Sequence, residues 1–178
     1  ALYKLSSRKM YVGGSEGAAL YKDGKFSLLG SENDRDIGTI RDFALLRDTL
    51  YCASNLGLFI YINGKFKLIS PSNQVVYNIE IDQYNVLWYG TESGLFRYKN
   101  GKVSKVNLLN DLGSNYTNFL NFRNGKMFVG TNNGLFILTK LNAEKPEFKR
   151  YGTSEGIIDL ETNLNSGFFD SQNRFWFG

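Results

Sequence analysis

The sequence predicts an all-β fold built from repeated four-stranded antiparallel sheets, and three observations predict it. A unit recurs whose second glycine falls at Gly17, Gly57, Gly94 and Gly134, spaced 40, 37 and 40 residues apart. The units are rich in Tyr, Phe, Val, Ile and Trp, without the sustained three-and-four apolar spacing of an amphipathic helix. Asp23-Gly24, Asn63-Gly64, Asn100-Gly101 and Asn124-Gly125 supply the positive φ that two-residue hairpin turns demand. A period near 40 in β-rich units is that of propeller blades, not of stacked helix pairs. The expected architecture is a fragment of a β-propeller.

Each element follows from the alignment of the units. Residues 9–17, 49–57, 86–94 and 126–134 superpose without gaps, and a fifth copy begins at 174–178. In the third unit, strand A covers 75–82, where Val75, Tyr77, Ile79 and Ile81 alternate with more polar neighbours. Gln83-Tyr84-Asn85 turns into strand B (86–91), and Glu92-Ser93 turns into strand C (94–99). Asn100-Gly101 then leads to strand D, from 102 to about 108. Applied to the whole chain, this gives blades at about 1–30, 39–70, 75–108 and 118–152 and a partial blade at 164–178 of a partial propeller spanning 1–178. Four blades and half of another predict a segment of a larger protein, with open edges that invite self-association.

One aromatic recurs two residues before the first repeat glycine: Tyr11, Tyr51, Trp88, Phe128 and Trp176, with Ala53 replacing the glycine in the second unit. A ring at the same point of every blade suits face-to-face packing of sheets better than a ligand platform. Cys52 sits beside that position and reads as a small buried hydrophobe.

Composition narrows the chemistry. The 178 residues contain no histidine, which removes histidine-based nucleophile systems and imidazole metal ligation from this chain. The net charge of +4 comes from 21 basic residues scattered among 17 acidic ones, so nucleic acid is not an expected partner. No apolar run approaches the length needed to span a bilayer as a helix. Cofactor and metal sites are not expected. Asp34-Arg35-Asp36-Ile37-Gly38 has only a faint likeness to a calcium loop and lacks its bidentate Glu.

Candidate binding residues lie in the irregular segments 30–38, 107–117 and 151–163, because loops of variable length on a regular scaffold usually carry binding. They are Glu32, Asp34, Arg35, Asp36, Asn115, Tyr116, Glu155, Asp159 and Glu161. Carboxylates, an arginine, an amide and a tyrosine together suit a hydroxyl-rich ligand. Asn115-Tyr116-Thr117 also fits the glycosylation triplet. Asp159 and Glu161 do not by themselves make a glycosidase pair, since nothing in the sequence fixes their separation. No catalytic residue is expected.

Leu-Trp-Tyr-Gly-Thr-Glu-Ser-Gly-Leu-Phe-Arg-Tyr, from Leu87 to Tyr98, resembles the two-component regulator propeller repeat. Met127 to Phe136 is similar, and residues 151–178 look like the closing blades of that family's sensor domains. The first unit departs from the pattern, with Gly13-Gly14 and Ala18-Ala19 where Gly-Thr and Leu-Phe are usual. The resemblance implies the periplasmic sensor region of a Bacteroidetes hybrid histidine kinase. It implies glycans or their breakdown products as signals, and a homodimeric parent with further blades, a membrane helix and a kinase.

The leading expectation is therefore a non-enzymatic, extracytoplasmic segment that senses oligosaccharides or polysaccharide fragments. A polysaccharide lyase or hydrolase on a propeller scaffold would instead place acid and base residues together on one face. A protein-interaction platform would present an exposed apolar patch.

Overall fold

The computed structural model describes residues 1–71, 74–106 and 116–178. It divides into two compact units, Ala1–Ile79 and Glu80–Gly178.

The first unit opens with an antiparallel sheet of β1 (Leu2–Ser6), β2 (Lys9–Gly14), β3 (Gly17–Lys22) and β4 (Lys25–Leu28), in sequence order. Its second sheet contains β5 (Gly30–Ser31), β6 (Ile40–Leu46), β7 (Thr49–Ser54), β8 (Gly57–Ile62) and β9 (Lys65–Leu68), ordered β5-β9-β8-β7-β6. The turns at Asp23-Gly24 and Asn63-Gly64 all have positive φ, as a two-residue hairpin requires. One element was not expected: Gly30–Ser31, within a segment that reads as irregular, pairs in parallel with Lys65 and Phe66 of β9. The core of this unit joins Ile40, Phe43, Leu50, Cys52, Phe59 and Phe66 of the second sheet to Ala18 of the first. Tyr3 and Tyr11 of the first sheet pack against it. Cys52 is fully buried, and burial pushes its thiol pKa upward.

In the second unit, β10 (Val76–Ile81, begun in the first), β11 (Leu87–Thr91), β12 (Gly94–Lys99) and β13 (Lys102–Lys105) form one four-stranded sheet. Strand A is thus one residue shorter at each end than the sequence indicates, and strand B starts at Leu87 because Val86 belongs to the turn. Strand D is ladder-paired over Lys102–Lys105, and residues 107 and 108 lie outside the described residues. The next sheet is β14 (Thr117–Arg123), β15 (Lys126–Thr131), β16 (Gly134–Thr139) and β17 (Glu147–Tyr151). A two-stranded sheet, β18 (Phe168–Phe169) with β19 (Phe175–Trp176), follows.

The core of this unit interleaves Val86, Trp88, Leu95 and Val106 with Leu120, Met127, Val129, Phe136, Leu138 and Leu141. Trp88 is fully buried, as a ring that packs neighbouring blades should be, whereas Trp176 is 49% exposed. The difference follows from their sheets: Trp88 stands in a four-stranded sheet covered on that face, Trp176 in a two-stranded one. Phe128 meets the two-stranded sheet through Phe169 and Phe175, at ring separations of 5.0 and 4.7 Å.

The hydroxyl that follows the repeat glycine, or Ala53 in the second unit, has a structural task. Thr91 Oγ1 donates to the Gly94 carbonyl at 2.9 Å and accepts from the Ser93 N–H at 3.1 Å. Thr131 repeats this with Gly134 and Asn133, both at 3.0 Å, and Ser54 does so with Gly57 and Leu56 at 3.3 and 3.0 Å. Each hydroxyl closes a B–C turn from beneath, satisfying turn groups that the ladder leaves open. These repeated sheets are the antiparallel four-stranded blades of a β-propeller.

Candidate functional site

The sequence-chosen residues of the first unit lie between β5 and β6. Glu32, Asp34, Arg35 and Asp36 are all exposed. A single 3-10 turn over Glu32–Asp34 organises them, with Asn33 and Asp34 at positive φ and the Ser31 hydroxyl donating to the Arg35 carbonyl. The Asp36 carboxylate accepts the Gly38 N–H at 2.7 Å, which aims the chain so that Ile37 enters the core. These carboxylates share one tight loop, and the loop's own backbone occupies Asp36.

In the second unit, Glu155, Asp159 and Glu161 lie on the strap after β17. The Glu155 carboxylate reaches back to the Gly152 N–H at 2.7 Å and accepts from the Ser154 hydroxyl at 2.9 Å. The Gly152 bond above all holds its pKa below the usual carboxylate range. The Asp159 carboxylate accepts the Glu161 N–H at 3.2 Å. The strap is pinned at Leu160 and Thr162. Gly134 N–H donates to the Leu160 carbonyl at 2.7 Å, Thr162 N–H to the Thr131 carbonyl at 3.2 Å, and Asn118 Nδ2 to the Thr162 carbonyl at 2.6 Å. Asp159 and Glu161 are therefore carried, both exposed, across the B–C turn of β15 and β16. Tyr116 is exposed at the entry to β14. Asn115, and with it the glycosylation triplet's acceptor, lies outside the described residues.

A hollow of the second unit lies elsewhere. A groove of about 350 Å³ is lined by Val86, Arg97, Lys99, Ser104, Asn142 and Glu144, among others. An adjoining hollow of about 290 Å³ adds Lys105 and Lys145. The two share Arg97, Ser104 and Glu144. One wall is the outer hairpin of β12 and β13, in which Arg97 pairs with Ser104 and Lys99 with Lys102. The other is the connection between β16 and β17, held down by Leu141, which is buried in the core.

Arg97 fastens the two walls. Its Nη1 donates to the Ala143 carbonyl and its Nη2 to the Glu144 carbonyl, both at 2.8 Å, while its guanidinium lies 5.3 Å over the Trp88 ring. Sequence reasoning missed this groove. The signal that could have found it is the fourth unit's lack of an Asp-Gly or Asn-Gly pair after strand C, because there the chain runs from Lys140 to Pro146 instead.

Comparison with solved structures places the fold. The chain is similar to the extracellular domain of a hybrid two-component system of B. thetaiotaomicron, with TM-score 0.80 and 17% identity, covering 100% of this chain and 26% of that one. A second such domain from B. thetaiotaomicron gives TM-score 0.78 and 22% identity, covering 98% and 25%. Virginiamycin B lyase from Staphylococcus aureus gives TM-score 0.74 and 14% identity, covering 99% and 62%. Identities of this order show a shared fold. The chain spans about a quarter of the length of the two-component domains it matches. No family model and no curated protein matches the sequence. No helix among the described residues is long and apolar enough to cross a membrane.

Proposed function

We propose that this chain is an extracytoplasmic, ligand-sensing propeller segment of a hybrid two-component sensor, responding to glycans or oligosaccharides without transforming them. The observation that carries the reading is the likeness to two extracellular domains of hybrid two-component systems over 98–100% of the chain. The sequence adds support through the Leu87–Tyr98 repeat motif and the lack of histidine. In this role a saccharide acts only through unequal affinity for two receptor states, so the segment needs a binding surface and no acid–base machinery.

A lyase reading has one observation in its favour, the likeness to virginiamycin B lyase. It requires acid and base groups converging on one bound ligand. Asp159 and Glu161, the nearest to such a pair, are exposed, with the Asp159 carboxylate turned to the Glu161 backbone.

A thermal-shift screen of neutral and acidic oligosaccharides tests the sensor reading. Ligands that bind the folded state raise its unfolding temperature by mass action. A concentration-dependent rise with one saccharide class is expected, and no rise with any of them contradicts the reading.

A further inference from the structure

We propose that the groove between the β12–β13 hairpin and the Lys140–Pro146 connection binds an anionic saccharide, one that carries uronate or sulfate groups. The inference rests on the saccharide reading above and narrows it to a charge class and a place.

Three observations carry it. The first is that the groove is built by a local departure from the repeat. Elsewhere the C and D strands are joined by two residues, Asp23-Gly24, Asn63-Gly64 or Asn100-Gly101, whereas residues 140–146 join β16 to β17. The longer connection folds against β12 and is tied there by Arg97. The hollow is preorganised, and its volume falls within the lower range of small-ligand sites, roughly 300–1,000 Å³.

The second is its charge. Arg97 and Lys99 line it and Lys145 lines the adjoining hollow, against the single carboxylate of Glu144, while Lys105 borders that hollow with its ammonium over the Phe96 ring. The ion pairs among the described residues are Lys140–Glu147 and Arg174–Asp170, so neither Lys99 nor Lys145 is neutralised by one. Lys99 moreover faces Lys102 directly across the ladder, an arrangement that costs stability unless an anion lies nearby. A carboxylate or sulfate ester between these ammonium groups relieves that repulsion and gains charge-assisted hydrogen bonds.

The third is the mixture of groups beside the cations. Ser104, Asn142 and Glu144 offer hydroxyl, amide and carboxylate partners suited to sugar hydroxyls. Single-stranded nucleic acid fits less well. It wants open aromatic faces, but Trp88 is fully buried beneath Arg97 and the Phe96 ring is covered by Lys105, whose ammonium lies 5.9 Å from its centre.

The test is calorimetric titration of the 178-residue chain with tetragalacturonate, its fully methylated ester, a heparin tetrasaccharide and octathymidylate. At least one anionic saccharide is expected to bind, more weakly as salt rises from about 50 to 200 mM. The uncharged ester is expected not to. The double variant Lys99→Ala/Lys145→Ala, in which both side chains are exposed, should weaken binding by roughly tenfold or more without lowering the unfolding temperature. Lys25→Ala, in the outer strand β4 of the first unit, should leave binding unchanged.

Binding of the ester as tightly as of the acid overturns the inference, as does saccharide binding indifferent to the double variant. Octathymidylate binding of equal strength, lost with the same variant, replaces the saccharide by a general polyanion. If both anionic saccharides fail while a neutral oligosaccharide binds, the inference falls and the sensor reading stands. If no saccharide of either kind binds, both fall.

Discussion

Trp88 donates its indole N–H to Asp82 Oδ2 at 2.8 Å, and Trp176 makes the same bond to Asp170 Oδ2 at 2.9 Å. The two aspartates occupy equivalent A–B turns. Asp82 Oδ1 accepts from the Tyr84 and Val86 N–H groups, and Asp170 Oδ1 from those of Gln172 and Arg174. Asn85 and Asn173 take positive φ at matching points. Both turns span five residues, 82–86 and 170–174, while the units carrying Tyr11, Tyr51 or Phe128 turn in two. The identity of the ring and the length of the turn are thus one choice. An indole buried between sheets needs an acceptor for its N–H, and only the longer turn brings a carboxylate back to it.

This relationship predicts that Asp82→Ala is strongly destabilising. The substitution strands the Trp88 and Val86 donors, both buried, at about 1–3 kcal/mol for each unsatisfied group. A loss of about 3 kcal/mol is expected, read as a lowered urea midpoint. Asp170→Ala, on the exposed sheet, should lower it less.

Asp42 sets a pH dependence. Its carboxylate accepts the Phe43 N–H at 2.8 Å and the Ile79 N–H at 3.0 Å, but burial outweighs these bonds and raises its pKa from 3.8 to about 6. The folded state therefore keeps this proton where the unfolded chain has lost it. Stability that is fully present below about pH 4 falls as pH rises to about 6 and is level above. The change is up to about 3 kcal/mol. Unfolding temperatures across this window should show the decline, and Asp42→Asn should remove it. A decline that persists in the variant assigns the effect to another group.

Gly130 predicts a steric limit. A methyl group there would overlap the Phe119 ring, which itself packs on Phe175 and Phe177. Gly130→Ala should cost about 2–3 kcal/mol by forcing those rings apart. Thermal unfolding checks this, and a variant as stable as the parent would show that the ring cluster yields freely.

How far the sequence could be read follows from what each feature depends on. The blades were legible because Gly17, Gly57, Gly94 and Gly134, the preceding rings and the Asn-Gly turns are local signals repeated in register. The parallel pairing of Gly30–Ser31 with β9 was not, since two residues carry no periodicity. The exposure of Trp176 was not either, because burial depends on the neighbouring sheet and the repeat position is unchanged. Glu155 reads in the sequence as a loop carboxylate; its bond to the Gly152 N–H emerges only from the fold of the turn. The basic groove depends on Arg97 meeting the Ala143 and Glu144 carbonyls, a contact across more than 40 residues that no local pattern announces.

The central claim, that this segment binds saccharides without transforming them, is tested most directly by calorimetric titration with oligosaccharides, followed by mass analysis of the sugars recovered from each mixture. Saturable heat with every sugar recovered intact is the predicted result. Shortened or unsaturated sugars in the recovered material would contradict it and establish an enzyme on this propeller scaffold.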